Sequence, residues 1–227
     1  MVYWKIGIET SKYAFEHKSV QNLMNRSDIE FDLVISNQFF HDSCLMFAHM
    51  YNAPILTVGT YGYSDFMDRA MGFLTPWPFV PHYILTYNDD MNFMERFYSV
   101  SLSVVDMIFR NYYYMPVQEA LAKKHFGKLT HIKKPLPSVA ALEKSISVML
   151  INDHRSISPP RPLMPGLIDI GGMHIKPVKP LPADIKKFID EAKHGAIYFC
   201  LGSLLQAKNM PQDKVKTFIG MFRLLKL

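Results

Sequence analysis

Residues 165–203 read PGLIDIGGMHIKPVKPLPADIKKFIDEAKHGAIYFCLGS, and the order of signals in this stretch decides the fold class. Pro165, Pro177, Pro180 and Pro182, with Gly171-Gly172 among them, make a connector through which no regular element runs. Ala183 to Ala192 reads as a helix. Ala196 to Leu201 (AIYFCL) is an apolar run of strand length that ends in Leu-Gly-Ser. Connector, helix, strand and glycine turn, in that order, open a nucleotide-binding α/β domain. Only 24 residues follow Ser203, so the reading expects a second domain that is begun and not finished.

Working back from the connector, Ile146 to Ile151 (ISVMLI) is a buried strand. Further upstream, Phe31 to Ser36 (FDLVIS) reads as a short buried strand and Pro54 to Val58 (PILTV) as another. Between them, Phe40 to Tyr51 puts Cys44, Phe47, Ala48 and Tyr51 on one helical face. Strand, helix and strand with short joints form the unit of a parallel sheet, which binds ligands beyond the carboxyl ends of its strands. Those ends are Ser36-Asn37-Gln38 and Gly59-Thr60-Tyr61-Gly62. Helical spacing also marks Glu16 to Asn25, a long helix from Met94 to Tyr112, Val117 to Phe126 stopped by Gly127, and a last helix from Gln212. Gly72 to Tyr83, with Pro76, Pro78 and Pro81, is an ordered loop. The expected organisation is therefore α/β: a first domain over 1–166, a connector over 167–182 and the start of a second domain over 183–227.

Composition narrows the function classes. Of 227 residues, 49% are apolar and 16 are Phe and 12 Tyr, enough for a sizeable core and against disorder. The net charge of +5 is scattered; the densest group is Lys123, Lys124, Lys128, Lys133 and Lys134, without an aromatic stripe, so a solvated surface is expected and no nucleic-acid partner. Cys44 and Cys200 each lie in an apolar run, which makes buried free thiols the expectation, and no Cys/His spacing fits a metal. Neither a signal peptide nor a transmembrane run is visible.

The stretches FDLVISNQFFHDSCLMFAHMYNAPIL (Phe31 to Leu56), YNDDMNFMERF (Tyr87 to Phe97), SVMLINDHRSISPPRPLMPGLIDIGGMHIKPVKPLP (Ser147 to Pro182) and HGAIYFCLGS (His194 to Ser203) resemble the UDP-glycosyltransferase family, the animal branch also called UDP-glucuronosyltransferases, insect members above all. That resemblance implies a GT-B fold of two facing Rossmann-like lobes. This chain would supply part of the N-terminal acceptor lobe and the first elements of the C-terminal UDP-sugar lobe. The implied reaction is inverting transfer of a hexose or glucuronosyl group from a UDP-sugar to small lipophilic acceptors. The UDP-sugar is a donor substrate, and no cofactor or metal is implied. The family's lobes face the endoplasmic reticulum lumen and are tethered by a C-terminal membrane helix that this sequence does not include.

In the family a histidine deprotonates the acceptor hydroxyl and a carboxylate steadies the imidazolium. None of the nine histidines matches the family's base, which belongs upstream of residue 1. The carboxylate position falls on Asn37. Asparagine accepts a hydrogen bond from an imidazole but does not neutralise its charge. Asp42, expected in the first turn of the next helix, is a weak substitute; the plainer reading is that it favours the helix N-terminus. Gly202 and Ser203 sit where backbone N–H groups and a hydroxyl approach a phosphate, and the family's equivalent loop lies beside the UDP; spacing alone leaves a structural turn equally open. Tyr61, Trp77 and Phe79, with Tyr63 and Tyr83, are candidates for an acceptor pocket, although core packing explains the same aromatics. Asn25-Arg26-Ser27 is an N-glycosylation triplet. Two functional readings stand: part of a working glycosyltransferase, or an inactive shortened form that binds acceptor or pairs with another subunit, a homo-oligomer included.

Overall fold

The computed structural model describes residues 2–202 and 207–223. The chain divides into two units, 1–175 and 176–227.

The first unit is built on four parallel strands in the order β1 (Val34–Asn37), β2 (Ile55–Gly59), β3 (Ile146–Ile151) and β4 (Leu167–Asp169). The α/β class and parallel sheet expected from the sequence are present. Val34 pairs with Ile55 and Asn37 with Val58; Gly59 pairs with Ile151, and Ile151 with Asp169. The carboxyl ends of all four strands thus lie along one edge. In the inner strands Ile55, Met149 and Ile151 are buried, as continuous apolar strands between covered faces should be. β1 departs from its expectation as a buried strand: it is the edge strand, and Ile35 is 64% exposed. β4 uses residues that the sequence assigns to the connector. Residues 152–166 join it to β3 without a helix, which is long enough for a parallel crossover.

Helices cover the sheet. α1 (Val2–Glu16), which no apolar periodicity announces, buries Trp4, Gly7, Ser11 and Phe15, one face at intervals of three and four. The Trp4 ring sits 4.5 Å from both Phe40 and Tyr114 and 5.5 Å from Phe66, and this aromatic knot is the centre of the core. α2 (Lys18–Met24) follows. The helix expected from Phe40 begins later, as a single 3-10 turn (Asp42–Leu45) and α3 (Met46–Tyr51). Phe40 has φ +58°, which a right-handed helix excludes. α4 (Asp65–Ala70) follows β2. α5 (Phe93–Phe109) starts with a capping box: Glu95 N–H donates to Asn92 Oδ1 at 3.0 Å and Asn92 N–H to Glu95 Oε2 at 2.9 Å. A π turn (Arg110–Tyr114) carries α5 directly into α6 (Met115–Phe126). Pro116 has no N–H to donate, and the wider turn before it accommodates the missing bond. α7 (Val139–Lys144), capped by the Ser138 hydroxyl, leads into β3.

The second unit contains α8 (Ala183–Asp190), a 3-10 turn (Ala207–Asn209) and α9 (Gln212–Arg223). The expected strand Ala196–Leu201 is not formed. A strand needs a hydrogen-bonded neighbour, and this segment has none among the described residues. Its Phe199 instead packs on Phe218 and Phe222 at 4.8 and 5.6 Å between ring centres. Cys200 is exposed rather than buried, for the same reason. Phe188 and Ile189 of α8 and Ile219 of α9 are exposed.

Candidate functional site

Parallel sheets bind ligands at the carboxyl edge, and here that edge carries the turn Asn37–Asp42, the loop Thr60–Ser64 and the segment Asn152–Arg161. Gln118 of α6 pins the first of these: its Oε1 accepts from Ser43 N–H at 3.0 Å and its Nε2 donates to the Phe40 carbonyl at 3.4 Å. Several clefts open behind the loops, and two of them share aromatic lining residues. One, of about 370 Å³, is lined by Tyr61, Tyr63, His82, Tyr83, Asp153 and Arg161 among others. The other, of about 300 Å³, is lined by Tyr3, Phe39, Phe40, Tyr61, Tyr83 and Ile84. Both fall at the small end of the range for ligand pockets.

Among the expected acceptor-pocket residues, Tyr63 lines the larger cavity and Tyr83 lines both, as does Tyr61. The Tyr61 ring lies 5.5 Å from Phe39 and 6.0 Å from Phe40. Trp77 faces elsewhere: its indole N–H donates to Asp65 Oδ2 at 2.7 Å and it lines a separate cleft with Arg69, Leu74, Thr75 and Met107. Phe79 is 43% exposed and lines neither cavity. In the loop 72–83 the buried side chains are those of Val80 and His82, not those of its first aromatics. Asn37 closes β1 and is exposed at the sheet edge. Gly202 lies in an exposed turn at φ +78°, a conformation that suits glycine, with its N–H 3.3 Å from Cys200 Sγ. Ser203 lies outside the described residues.

Asp42 opens the 3-10 turn, as its position predicts, but it is buried and already engaged. Tyr114 Oη donates to Asp42 Oδ2 at 2.6 Å, and the Arg110 guanidinium lies 3.9 Å from the same oxygen. Arg110 also pairs with Glu143 of α7. One buried cation thus faces two buried carboxylates. Burial pushes the Glu143 carboxyl up to about 7, against the pull of Arg110, with Asp42 adding to the rise. Burial, and then Asp42, raises the Cys44 thiol to about 12, which keeps it protonated and unreactive.

The pH dependence follows. A carboxyl whose folded pKa lies above its unfolded one makes the folded state take up protons. The stabilisation is full below about pH 4.5 and is lost as pH rises through about 7. His125, lowered by burial and by Lys124, works in the opposite direction, but it is largely solvent-screened. The first unit should therefore lose about 1–2 kcal/mol between pH 5.5 and pH 8. Thermal melts of the chain and of Glu143→Gln across this range check it; an equally steep pH slope in the variant would remove Glu143 as the cause.

Several residues of the site had no signal in the sequence. Asp106 of α5 accepts from the Trp4 indole N–H at 2.7 Å and faces Tyr83 Oη at 3.5 Å and His82 Nε2 at 3.9 Å. Burial opposes its charge, but His82 and Trp4 outweigh burial and hold the carboxyl below the usual range. Arg161 pairs with buried Asp68 and lies 4.5 Å over the Tyr63 ring, which fastens the proline segment Pro159–Pro162 across the larger cavity. Asp68 in turn accepts from Thr75 Oγ1 at 2.6 Å. These partners are separated by up to 102 residues in sequence, so no spacing rule finds them. Among the described residues no group of three or more His, Cys, Asp or Glu is placed to hold a metal ion, and no helix is long and apolar enough to cross a membrane.

Comparison with known proteins gives the same direction. The family model for UDP-glucoronosyl and UDP-glucosyl transferase matches residues 3–221. A UDP-glycosyltransferase UGT5 of Dactylopius coccus is 32% identical over 205 residues, covering 89% of this chain and 38% of that protein. UDP-glucosyltransferase 2 of the same insect is 30% identical, covering 86% of this chain and 37% of its own length. UDP-glucuronosyltransferase 2B18 of Macaca fascicularis is 29% identical, covering 94% and 39%. The chain thus spans less than two fifths of the length of these curated relatives. No solved structure gives a significant match.

Proposed function

This chain belongs to the UDP-glucoronosyl and UDP-glucosyl transferase family, and from that premise we propose that its first unit is the acceptor-holding part of a GT-B glycosyltransferase. The substrate pair is a UDP-sugar and a small lipophilic hydroxyl compound, with the hexose or glucuronosyl group transferred with inversion. The observation that carries this reading is the pair of aromatic-lined cavities at the carboxyl edge of the sheet, where a family acceptor would approach the strand ends. Gly202 and Ser203 are assigned to the donor side by the family match. The same reading gives the part of the expected connector 167–182 that follows β4 the role of tether between the two lobes. It puts the parent protein at the endoplasmic reticulum membrane, with its lobes on the lumenal side and a role in clearing lipophilic compounds; exposed Asn25 is open to glycosylation there.

The specific residues favour a second statement, that this chain binds acceptor without completing the transfer, alone or paired with another subunit. The position of the family carboxylate holds Asn37, which gives no charge to an imidazolium. The nearest substitute, Asp42, is committed to Tyr114 and Arg110. The test has two arms. Saturable binding of 1-naphthol to the purified chain, followed by tyrosine and tryptophan fluorescence, is expected; absence of binding would end the acceptor reading. Incubation with radiolabelled UDP-glucose or UDP-glucuronate and 1-naphthol is expected to give no glycoside, and clear turnover would refute the second statement.

A further inference from the structure

The two cavities share two lining residues, Tyr61 and Tyr83, and together they measure about twice the volume of either. Tyr83 is held from three sides. Its ring lies 4.4 Å from His82 and 6.1 Å from Phe66, and its hydroxyl faces Asp106, which is itself fixed by Trp4. Tyr61 is packed against Phe39 and Phe40, yet its buried hydroxyl has no hydrogen-bond partner among the described residues. The neighbouring Ser64 hydroxyl pulls the Tyr61 phenol down less than burial pushes it up, and no bond of good geometry joins the two. The phenol therefore stays protonated. A buried hydroxyl left without a partner is destabilising, and a ligand that satisfies it recovers part of that cost. His82 Nε2, buried on the wall of the larger cavity, also lacks a hydrogen-bond partner among the described residues and lies 3.9 Å from Asp106 Oδ2.

We propose that Tyr61 and Tyr83 set the acceptor specificity of this chain: their rings partition the acceptor space and limit acceptor size, and the Tyr61 hydroxyl hydrogen-bonds the acceptor's own hydroxyl. This inference rests on the cavities being the acceptor site. A site with a buried, unpaired donor discriminates against analogues that lack the matching group, whereas an apolar wall discriminates by size. Each residue therefore governs a different property of the ligand.

The experiment is a fluorescence or calorimetric titration of the whole purified chain with three probes: 1-naphthol, naphthalene and 1-hydroxypyrene. The wild-type chain is expected to bind 1-naphthol about tenfold more tightly than naphthalene, the effect of one good hydrogen bond, and to exclude 1-hydroxypyrene. Tyr61→Phe keeps the ring and should bring the naphthol-to-naphthalene ratio to about one. Tyr83→Ala should admit 1-hydroxypyrene at least about tenfold more tightly, in a form that 1-naphthol displaces. Tyr83→Leu is the second variant should the alanine form lose its fold, and Tyr83→Phe should still exclude the larger probe. If no probe binds the wild-type chain, the acceptor reading fails and this inference with it. If 1-naphthol binds but Tyr61→Phe keeps the hydroxyl preference, or removal of the Tyr83 ring leaves 1-hydroxypyrene excluded, the partition is wrong while the acceptor reading stands.

Discussion

Arg110→Met is expected to lower the melting temperature of the first unit by about 10 °C at pH 8. Methionine replaces the apolar stem of arginine but not the guanidinium, so the loss is chiefly one of charge and of the hydrogen bonds the guanidinium donates. What remains is Asp42 and Glu143, both buried and now without a cation. Breaking a buried pair in this way costs about 3–5 kcal/mol, because the partner's desolvation is no longer offset. For a unit of this size each kcal/mol moves the midpoint by about 2–4 °C. The loss should shrink at pH 5, where Glu143 takes up a proton and its burial becomes tolerable. Melts at both pH values measure this; a fall below about 3 °C at pH 8, or a fall that does not depend on pH, would show that the cluster is not what holds α7 to the π turn.

Gly7→Ala is expected to destabilise the chain by about 2 kcal/mol, and here two levels of description predict opposite signs. On local grounds alanine in the middle of a helix gains up to about 1 kcal/mol over glycine. In the folded chain a β-carbon at position 7 would stand 2.2 Å from the Phe40 carbonyl oxygen and 2.4 Å from Phe40 Cβ. The obstacle is backbone, in a residue already held at φ +58° and pinned by Gln118, so it has little room to give. Overpacking of this kind costs about 1–3 kcal/mol, and more where backbone must shift. Urea unfolding gives the sign directly. Because Phe40 lines the smaller cavity, 1-naphthol affinity should fall as well. A more stable variant would mean that α1 does not approach the turn as closely as the structure has it.

Gly7 also shows why α1 escaped the sequence. Its buried face is Trp4, Gly7, Ser11 and Phe15, two large apolar residues with two small ones between them. A search for apolar periodicity passes over such a stripe, although close helix packing requires small residues at the contact. The strands were easier. ISVMLI and PILTV are apolar runs of strand length, and both lie in the middle of the sheet with their boundaries within a residue. AIYFCL has the same pattern and is not a strand, because a run of apolar residues specifies only that a strand is compatible; a hydrogen-bonded neighbour makes it one.

The candidate site divides along the same line. Tyr61 was legible because it follows a strand's carboxyl end, and that position depends on local pattern and sheet chemistry alone. Trp77 and Phe79 were chosen by residue type, and the loop's path carried them away from the cavities. Asp42 had the right charge in the right neighbourhood, but Tyr114 and Arg110, 72 and 68 residues further on, occupy it.

By itself, the sequence determined the α/β class, the parallel pairing of its first two strands and the place of the sheet's carboxyl edge. These follow from side-chain periodicity. Only the tertiary structure decided which polar groups are already paired, that the buried Tyr61 hydroxyl has no partner among the described residues, and that Tyr61 and Tyr83 line both cavities. Those outcomes depend on burial and on distances of a few ångströms between residues far apart in the chain, and no local pattern encodes them.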